Sequence, residues 1–335
     1  MRHKNQVFER YQQWQAQNAQ MVVAVVVETR GSTYAKPGDF MLIRSSGEFQ
    51  GLLSGGCVEG DLALRAEQVC REGGAAVVHY ELGGEEDVLW GMGAGCEGSL
   101  SILLQSVDGP FAELLDEVSR RYFEGLDSHV MLGGTISKLT WALTDQSIGP
   151  ASLSWNESDA SLHGRWMIVT APAVLIAGGG ADVLPLLDLL ASMGWTAVVA
   201  EHREHYAMAL SEKPCRVVHA PAEQMGEHVD LTRFDAALIM SHHLETDVAY
   251  LSSIAKHKHW SYIGLLGPTH RRDKLVEGAQ GAEALGDVLY GPVGLRLGGR
   301  EPASIALSIV AHLHAVFASK GLLTGQPDHR VIPID

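Results

Sequence analysis

A chain of 335 residues is longer than one hydrophobic core usually organises, and 46% apolar with 19% charged residues is an ordinary globular balance, so two domains are expected. The net charge of −15 disfavours attachment to nucleic acid or to an anionic membrane surface, because polyanions repel it at long range. No stretch reaches the roughly 18 consecutive apolar residues needed to span a bilayer, and the polar opening from Met1 to Gln20 does not read as a signal peptide. A cytoplasmic protein without a membrane or nucleic-acid partner is expected.

Val7, Tyr11 and Trp14 lie at helical spacing, and the run from Met21 to Val27 is rich in β-branched residues and reads as a buried strand. Phe40 to Ile43 and Phe49 to Leu53 flank the turn Ser45-Ser46-Gly47-Glu48 as a hairpin would. Val58, Leu62, Ala66 and Val69 mark one face of a helix, which puts Gly55-Gly56-Cys57 just before its N-terminus. Strands are expected over Ala75 to Leu82 and Leu100 to Leu104, with the glycine-dense stretch Gly91 to Gly98 between them.

From about Thr144 to His163 the chain turns polar and loses periodicity, so residues 144–170 are expected to connect an N-terminal domain (1–143) to a C-terminal one (171–320), followed by a tail (321–335). Beyond the connection, Ala173 to Ala177, Leu184 to Met193 and Ala197 to Ala200 read as a βαβ unit. Further strands are expected at Arg216 to His219, Ala236 to Met240 and Tyr262 to Leu266, and a long helix over Pro302 to Phe317. The fold class is α/β: a mixed α/β domain, then a Rossmann-like, doubly wound parallel sheet.

In the C-terminal half, Gly178-Gly179-Gly180 follows a strand and precedes a helix, where backbone N–H groups can approach a phosphate closely. Glu201, 23 positions after Gly178, ends the next strand, where a carboxylate can accept from a ribose. Val183 stands where this fingerprint calls for a small residue, so a nucleotide or NAD(P) site competes with a turn whose glycines only permit the bend. His242 and His243, with Glu245 and Asp247 nearby, allow a metal site, but a capping role at a strand-to-helix corner is the stronger reading.

The first half carries a more unusual pattern: GSTYAKPG over 31–38, SGGCVEG over 54–60, and WGMGAGCEG over 90–98. Such loops can turn backbone donors toward an anion, Lys36 can add positive charge, and Cys57 at a helix N-terminus gains thiolate character. The alternative is that the glycines make tight turns, that Cys57 and Cys96 are small buried apolar residues, and that Glu59 stabilises the start of its own helix. The four cysteines, Cys57, Cys70, Cys96 and Cys215, are too scattered for a disulfide framework, and no spacing suggests a zinc site.

These segments, in this order, resemble the N-terminal domain of the XdhC/CoxI family, and Ser241-His242-His243, Tyr262 to Gly267 with Arg271 and Arg272, and Gly291 to Leu295 leading to Arg300-Glu301-Pro302 resemble its Rossmann-type C-terminal domain. The chain departs from the family at Tyr34, where proline is usual, and at Ala181, where a histidine commonly follows the glycines. The resemblance implies an accessory protein, more chaperone than enzyme. It would bind molybdenum cofactor (molybdopterin), assist its sulfuration with a cysteine desulfurase, and deliver it to the apoenzyme of a xanthine dehydrogenase-type molybdenum hydroxylase. The residues expected to touch the cofactor are Ser32, Lys36, Gly55, Gly56, Cys57, Gly95 and Cys96, with Gly178, Gly180 and Glu201 in the second domain; Cys57 is the one expected near the metal. Self-association as a homo-oligomer is implied as well, with an apolar face of the closing helix as its seam. An NAD(P)-dependent oxidoreductase and a scaffold that holds no cofactor are the rival readings.

Overall fold

The computed structural model describes residues 2–56, 58–82, 98–146, 151–213, 215–325, 327 and 328. The chain forms two compact units, one spanning His3–Thr170 and the other running from Ala171.

The N-terminal unit begins with helix α1 (Arg2–Ala16), followed by the strands β1 (Met21–Gly31), β2 (Phe40–Arg44) and β3 (Phe49–Gln50), helix α2 (Glu59–Glu72), β4 (Ala75–Leu82) and β5 (Gly98–Ser106). The five strands form an antiparallel sheet in the order β3-β2-β1-β5-β4. Successive side chains of a strand face opposite sides, so Val22, Ala24 and Val26 of β1 pack with Leu62, Ala66 and Val69 of α2, while Val23, Val25 and Val27 face α1. Because both faces are covered, β1 reads as an unbroken apolar run instead of an alternation.

Helix α3 (Gly109–Phe123) and a second antiparallel sheet complete this unit, the sheet built from β6 (Ser128–Thr135), β7 (Lys138–Thr144), β8 (Ser152–Asn156) and β9 (Ser161–Ile168) in the order β7-β6-β9-β8. Strands β8 and β9 occupy residues within the stretch expected to connect the units. The alternation in β8, Ser-Leu-Ser-Trp-Asn, is only five residues long and belongs to an edge strand whose inward residues are half-buried, so it offers no apolar run to mark a strand in a polar stretch. Trp166 of β9 is fully buried, stands edge-on to Phe40 with ring centroids 5.1 Å apart, and donates its Nε1–H to the carbonyl of Gly38 at 2.9 Å. The second sheet therefore anchors the loop that follows β1.

The C-terminal unit alternates strand and helix: β10 (Ala173–Ala177), α4 (Val183–Met193), β11 (Thr196–Glu201), α5 (Glu204–Leu210), β12 (Arg216–His219), α6 (Met225–His228), β13 (Ala236–Ile239), α7 (Leu244–Ile254), β14 (Tyr262–Leu265), α8 (Thr269–Gly278), β15 (Leu289–Tyr290) and α9 (Pro302–Ser319). All six strands are parallel, in the order β12-β11-β10-β13-β14-β15, which is the doubly wound Rossmann order with its switch point between β10 and β13. Helices α4 and α9 cover one face of the sheet, and α6, α7 and α8 the other.

Among the described residues α9 is the one helix long and apolar enough to cross a membrane. Its Ala306, Ile309, Leu313, Val316 and Phe317 are instead packed into the core with α4, each large aliphatic side chain so buried contributing about 1.5–3 kcal/mol. His312, buried on the same helix, accepts from or donates to Tyr262 through Nδ1 at 3.0 Å and lies edge-on to the rings of Tyr262 and Tyr290. Burial holds its imidazole below the ordinary pKa.

Candidate functional site

The topology of the first sheet decides where the glycine-rich segments go. Strand β1 runs up to Gly31 and hands the chain to the 32–39 loop; β3 ends at Gln50 and leads to the 51–58 turn; β4 ends at Leu82, and β5 begins at Gly98. In an antiparallel sheet of this order, all four of those strand ends lie at the same end. Gly31 pairs with Gly98, and a side chain on Gly98 would strike the carbonyls of Arg30 and Ser32 at 2.6 Å, so the first segment and the start of β5 are in direct contact. Ser32 and Lys36 are exposed there. Lys36 leaves its ammonium beside Thr33, 3.3 Å from the carbonyl, while its N–H donates to Asp39 at 2.8 Å. Cys57, Gly95 and Cys96 lie outside the described residues.

At the second segment the structure adds a partner that residue types alone do not reveal. Glu59, in the first turn of α2, is 2% exposed, and its carboxylate folds back over the preceding turn. One oxygen accepts from the N–H groups of Leu53 and Ser54, both at 2.8 Å, and the other accepts from Ser54 Oγ at 2.6 Å and from the Gly56 N–H at 3.1 Å. Ser54 Oγ in turn accepts from the Val58 N–H at 2.9 Å. Burial alone would raise the Glu59 pKa, but the Ser54 hydroxyl and the Leu53 and Ser54 N–H groups outweigh it and hold the carboxyl below its ordinary value. The Gly56 donor, expected to face a ligand anion, is thus engaged by the protein's own carboxylate. Gly55 and Gly56 have φ of +79° and +112°, and an added Cβ would meet nothing within 4 Å at either; the left-handed backbone, not crowding, calls for glycine there.

The C-terminal glycine turn repeats the theme. Glu201, at the end of β11, is 0% exposed, and one carboxylate oxygen accepts from the Gly179 N–H and from Arg203 Nη2. Its other oxygen accepts from the Arg203 N–H at 2.7 Å and from Arg203 Nε at 2.8 Å, with His202 Nδ1 3.1 Å away. Burial opposes the charge, yet the Arg203 contacts and the Gly179 N–H more than offset it and hold the carboxyl below its ordinary range. The guanidinium of Arg203 also lies over the Tyr206 ring, 4.1 Å from its centroid. In this arrangement both oxygens of Glu201, the carboxylate expected to accept from a ribose, are engaged by Arg203 and the Gly179 N–H.

The mouth of the switch point is lined by residues the fingerprint does not contain. His242 sits at φ +64° and places Nε2 2.9 Å from Asp182 Oδ2, and a Cβ added at Gly180 would meet its ring at ordinary contact distance. His243 caps α7, its Nδ1 accepting from the Thr246 N–H at 3.4 Å and lying 2.9 Å from Thr246 Oγ1. Buried Asp247 accepts from the Ser241 N–H at 3.1 Å and from Arg271 Nη2 at 2.7 Å. No group of three or more metal-ligating side chains occurs among the described residues. What sequence reasoning missed is the pairing of two of the glycine turns, 54–56 and 178–180, with a buried glutamate. A serine and a glutamate bracketing the 54–59 segment were the only signal for the first, and the second carried none beyond Glu201 itself.

Known proteins share both halves of this architecture. Residues 174–313 match the family model described as the XdhC Rossmann domain, and residues 14–81 match that of the XdhC and CoxI family. A Bacillus subtilis (strain 168) protein, named as a probable subunit of xanthine dehydrogenase, is 28% identical over 315 residues, covering 87% of this chain and 92% of its own length. The Escherichia coli (strain K12) protein named molybdenum cofactor insertion chaperone PaoD is 23% identical over 302 residues, covering 88% of this chain and 83% of its own. The crystal structure of a protein described as a xanthine dehydrogenase from Bacillus halodurans superimposes with a TM-score of 0.78 at 28% identity, covering 93% of this chain and 96% of that one. With both of its units matched by models of one family, and with relatives and a solved structure matching it along nearly its whole length, the chain belongs to the XdhC and CoxI family.

Proposed function

We propose that this chain is a cytoplasmic accessory protein that binds molybdenum cofactor, assists its sulfuration by a cysteine desulfurase, and inserts it into a xanthine dehydrogenase-type molybdenum hydroxylase. The observation that carries the reading is the gathering of strand ends β1, β3, β4 and β5 at one end of the first sheet, where the loop over 32–39 and the turn over 51–56 leave it. The names of the Bacillus and Escherichia relatives support the same reading. The cargo brings a phosphate, a pterin and an oxidation-sensitive metal dithiolene, and the proposed holders divide accordingly. Lys36 and Ser32 offer a cation and a hydroxyl to the anionic part, and Gly55, with open space beside it, lets the cargo approach the backbone. Cys57 supplies a thiolate near the metal or its sulfur ligand, and Cys96 is the second candidate, with Gly95 beside it in sequence.

Titration of the purified chain with molybdenum cofactor under anaerobic conditions tests this. Wild type is expected to bind saturably at micromolar concentration, Cys57→Ala and Lys36→Ala at least tenfold more weakly. Absence of binding by folded wild type would overturn the carrier reading and leave a scaffold, under which Cys57→Ala would still support full hydroxylase maturation. Against an NAD(P)-dependent oxidoreductase stands the full occupation of Glu201 by Gly179 and Arg203.

The same reading includes self-association along the solvent face of α9, where Leu307 is 54% exposed and His314 and Ala303 are exposed beside it. Leu307→Glu is expected to halve the mass measured by light scattering while leaving the unfolding transition in place; an unchanged mass would remove α9 as the seam.

A further inference from the structure

At the C-terminal ends of β14 and β15 a cleft of about 320 Å3 opens between the Leu266–Pro268 turn and the loop that leads into α9, within the size range of small-molecule sites. Its outer wall is built, not incidental. The Leu295 N–H donates to the Ser308 carbonyl at 3.2 Å, and Ser308 Oγ donates back to the Leu295 carbonyl, which straps the loop along the first two turns of α9. Gly294 and Gly299 make that approach feasible: both have positive φ, and a Cβ would stand 2.3 Å from Ser308 Oγ at the first and 2.6 Å from Ser304 Cβ at the second. Its apolar lining is Leu266, Val293 and Ile305, with Pro268 and Pro292 exposed at its edge.

One charged side chain lines the cleft, Arg296; it is exposed and has no hydrogen-bond or ion-pair partner among the described residues. In a chain of net charge −15, a cleft that presents a cation and no carboxylate selects an anion. A planar guanidinium grips a carboxylate or phosphate through two parallel N–H groups, and two proline rings with an isoleucine offer a surface against which a flat ring loses water. We propose that this cleft is a small-molecule site for a heteroaromatic anion, with Arg296 on the carboxylate or phosphate and the ring between Pro268, Pro292 and Ile305. The site is independent of cofactor handling by the N-terminal unit and stands or falls separately.

Titration of the full chain, followed by backbone amide shifts, with nicotinate as the carboxylate probe, 5′-CMP as the phosphate probe and inorganic phosphate as the ring-free control, tests it. At least one heteroaromatic probe is expected to bind saturably, with shifts confined to 266–268 and 292–308, at least tenfold tighter than inorganic phosphate; which of the two binds identifies the head group. Arg296→Ala should weaken that binding at least tenfold, and Arg296→Lys by less. Failure of both probes to saturate, equal binding by inorganic phosphate, or binding unchanged in Arg296→Ala would overturn the site. Because Arg296 is exposed and bonded to nothing among the described residues, loss of binding in its variants is not a loss of fold.

Discussion

Replacing Glu59 by glutamine is expected to cost about 3 kcal/mol of stability, since hydrogen bonds to a charged group contribute about 1.5–3 kcal/mol each and a donor left buried without a partner loses its hydration as well. The carboxylate receives four donors, from Leu53, Ser54 twice and Gly56. A glutamine side chain of the same shape keeps one acceptor oxygen and turns an NH2 group toward donors. The urea midpoint of the N-terminal unit should fall with an unchanged slope, and proteolytic cleavage within 53–58 should accelerate. The pH dependence carries a sign. The folded pKa of Glu59 lies below its ordinary value of 4.5, so its contribution is complete above that value and is lost as the pH falls through the lower folded one. Wild type should therefore lose stability toward acid more steeply than Glu59→Gln, and the two curves should converge at low pH. If Glu59→Gln matches wild type at pH 7, the carboxylate does not organise the turn, and the donors of Gly56 and its neighbours return as candidates for an external anion.

How much of this was legible in the sequence depended on burial. Strands covered on both faces announce themselves by unbroken apolar runs, and the runs at 21–27, 173–177, 236–240 and 262–266 all correspond to central strands. The long helix from Pro302 was legible because its apolar positions recur at helical spacing. The sheet of β6 to β9 was not: β7 and β8 are outer strands, exposed on one face and only half-buried on the other, so they carry a short period-two alternation of leucine and tryptophan with polar residues and no unbroken apolar run, and such an alternation stands out less in a polar stretch. The glycine turns were recognisable as turns from composition, but not as satisfied ones. That Glu59 reaches backward as far as Leu53 and Glu201 sideways to Gly179 depends on how the chain stacks its strands, and a residue's type does not say whether its lone pairs are spent inside the protein. Val183, the residue that departs from the fingerprint, is fully buried at the start of α4 and packs in the core beneath the sheet.

The two outer glycines of the 178–180 turn are expected to separate cleanly by mutation. Gly178 has φ +109°, and an added Cβ would lie 2.5 Å from the backbone nitrogen of Ser241, 2.6 Å from its Cα and 2.7 Å from the Met240 carbonyl carbon. Every one of those atoms is backbone at the end of the neighbouring strand β13, pinned by the parallel pairing of Ala177 with Ile239 and by the Asp247 carboxylate on the Ser241 N–H. Nothing flexible can move aside, so Gly178→Ala should destabilise the C-terminal unit by more than about 3 kcal/mol, at the upper end of single-residue effects. At Gly180 the nearest atoms are Cδ2 and Nε2 of His242, at 3.6 and 3.8 Å, and the backbone is not left-handed. Gly180→Ala should therefore cost less than about 1 kcal/mol, which makes it the variant with which to ask whether a ligand enters the crevice beside His242 and Asp182. Thermal unfolding of the two variants beside wild type measures the difference. Equal, small effects would mean that β10 and β13 can part at their ends, and the close approach of Gly178 to Ser241 would then be adjustable space at the switch point and not a fixed contact of the fold.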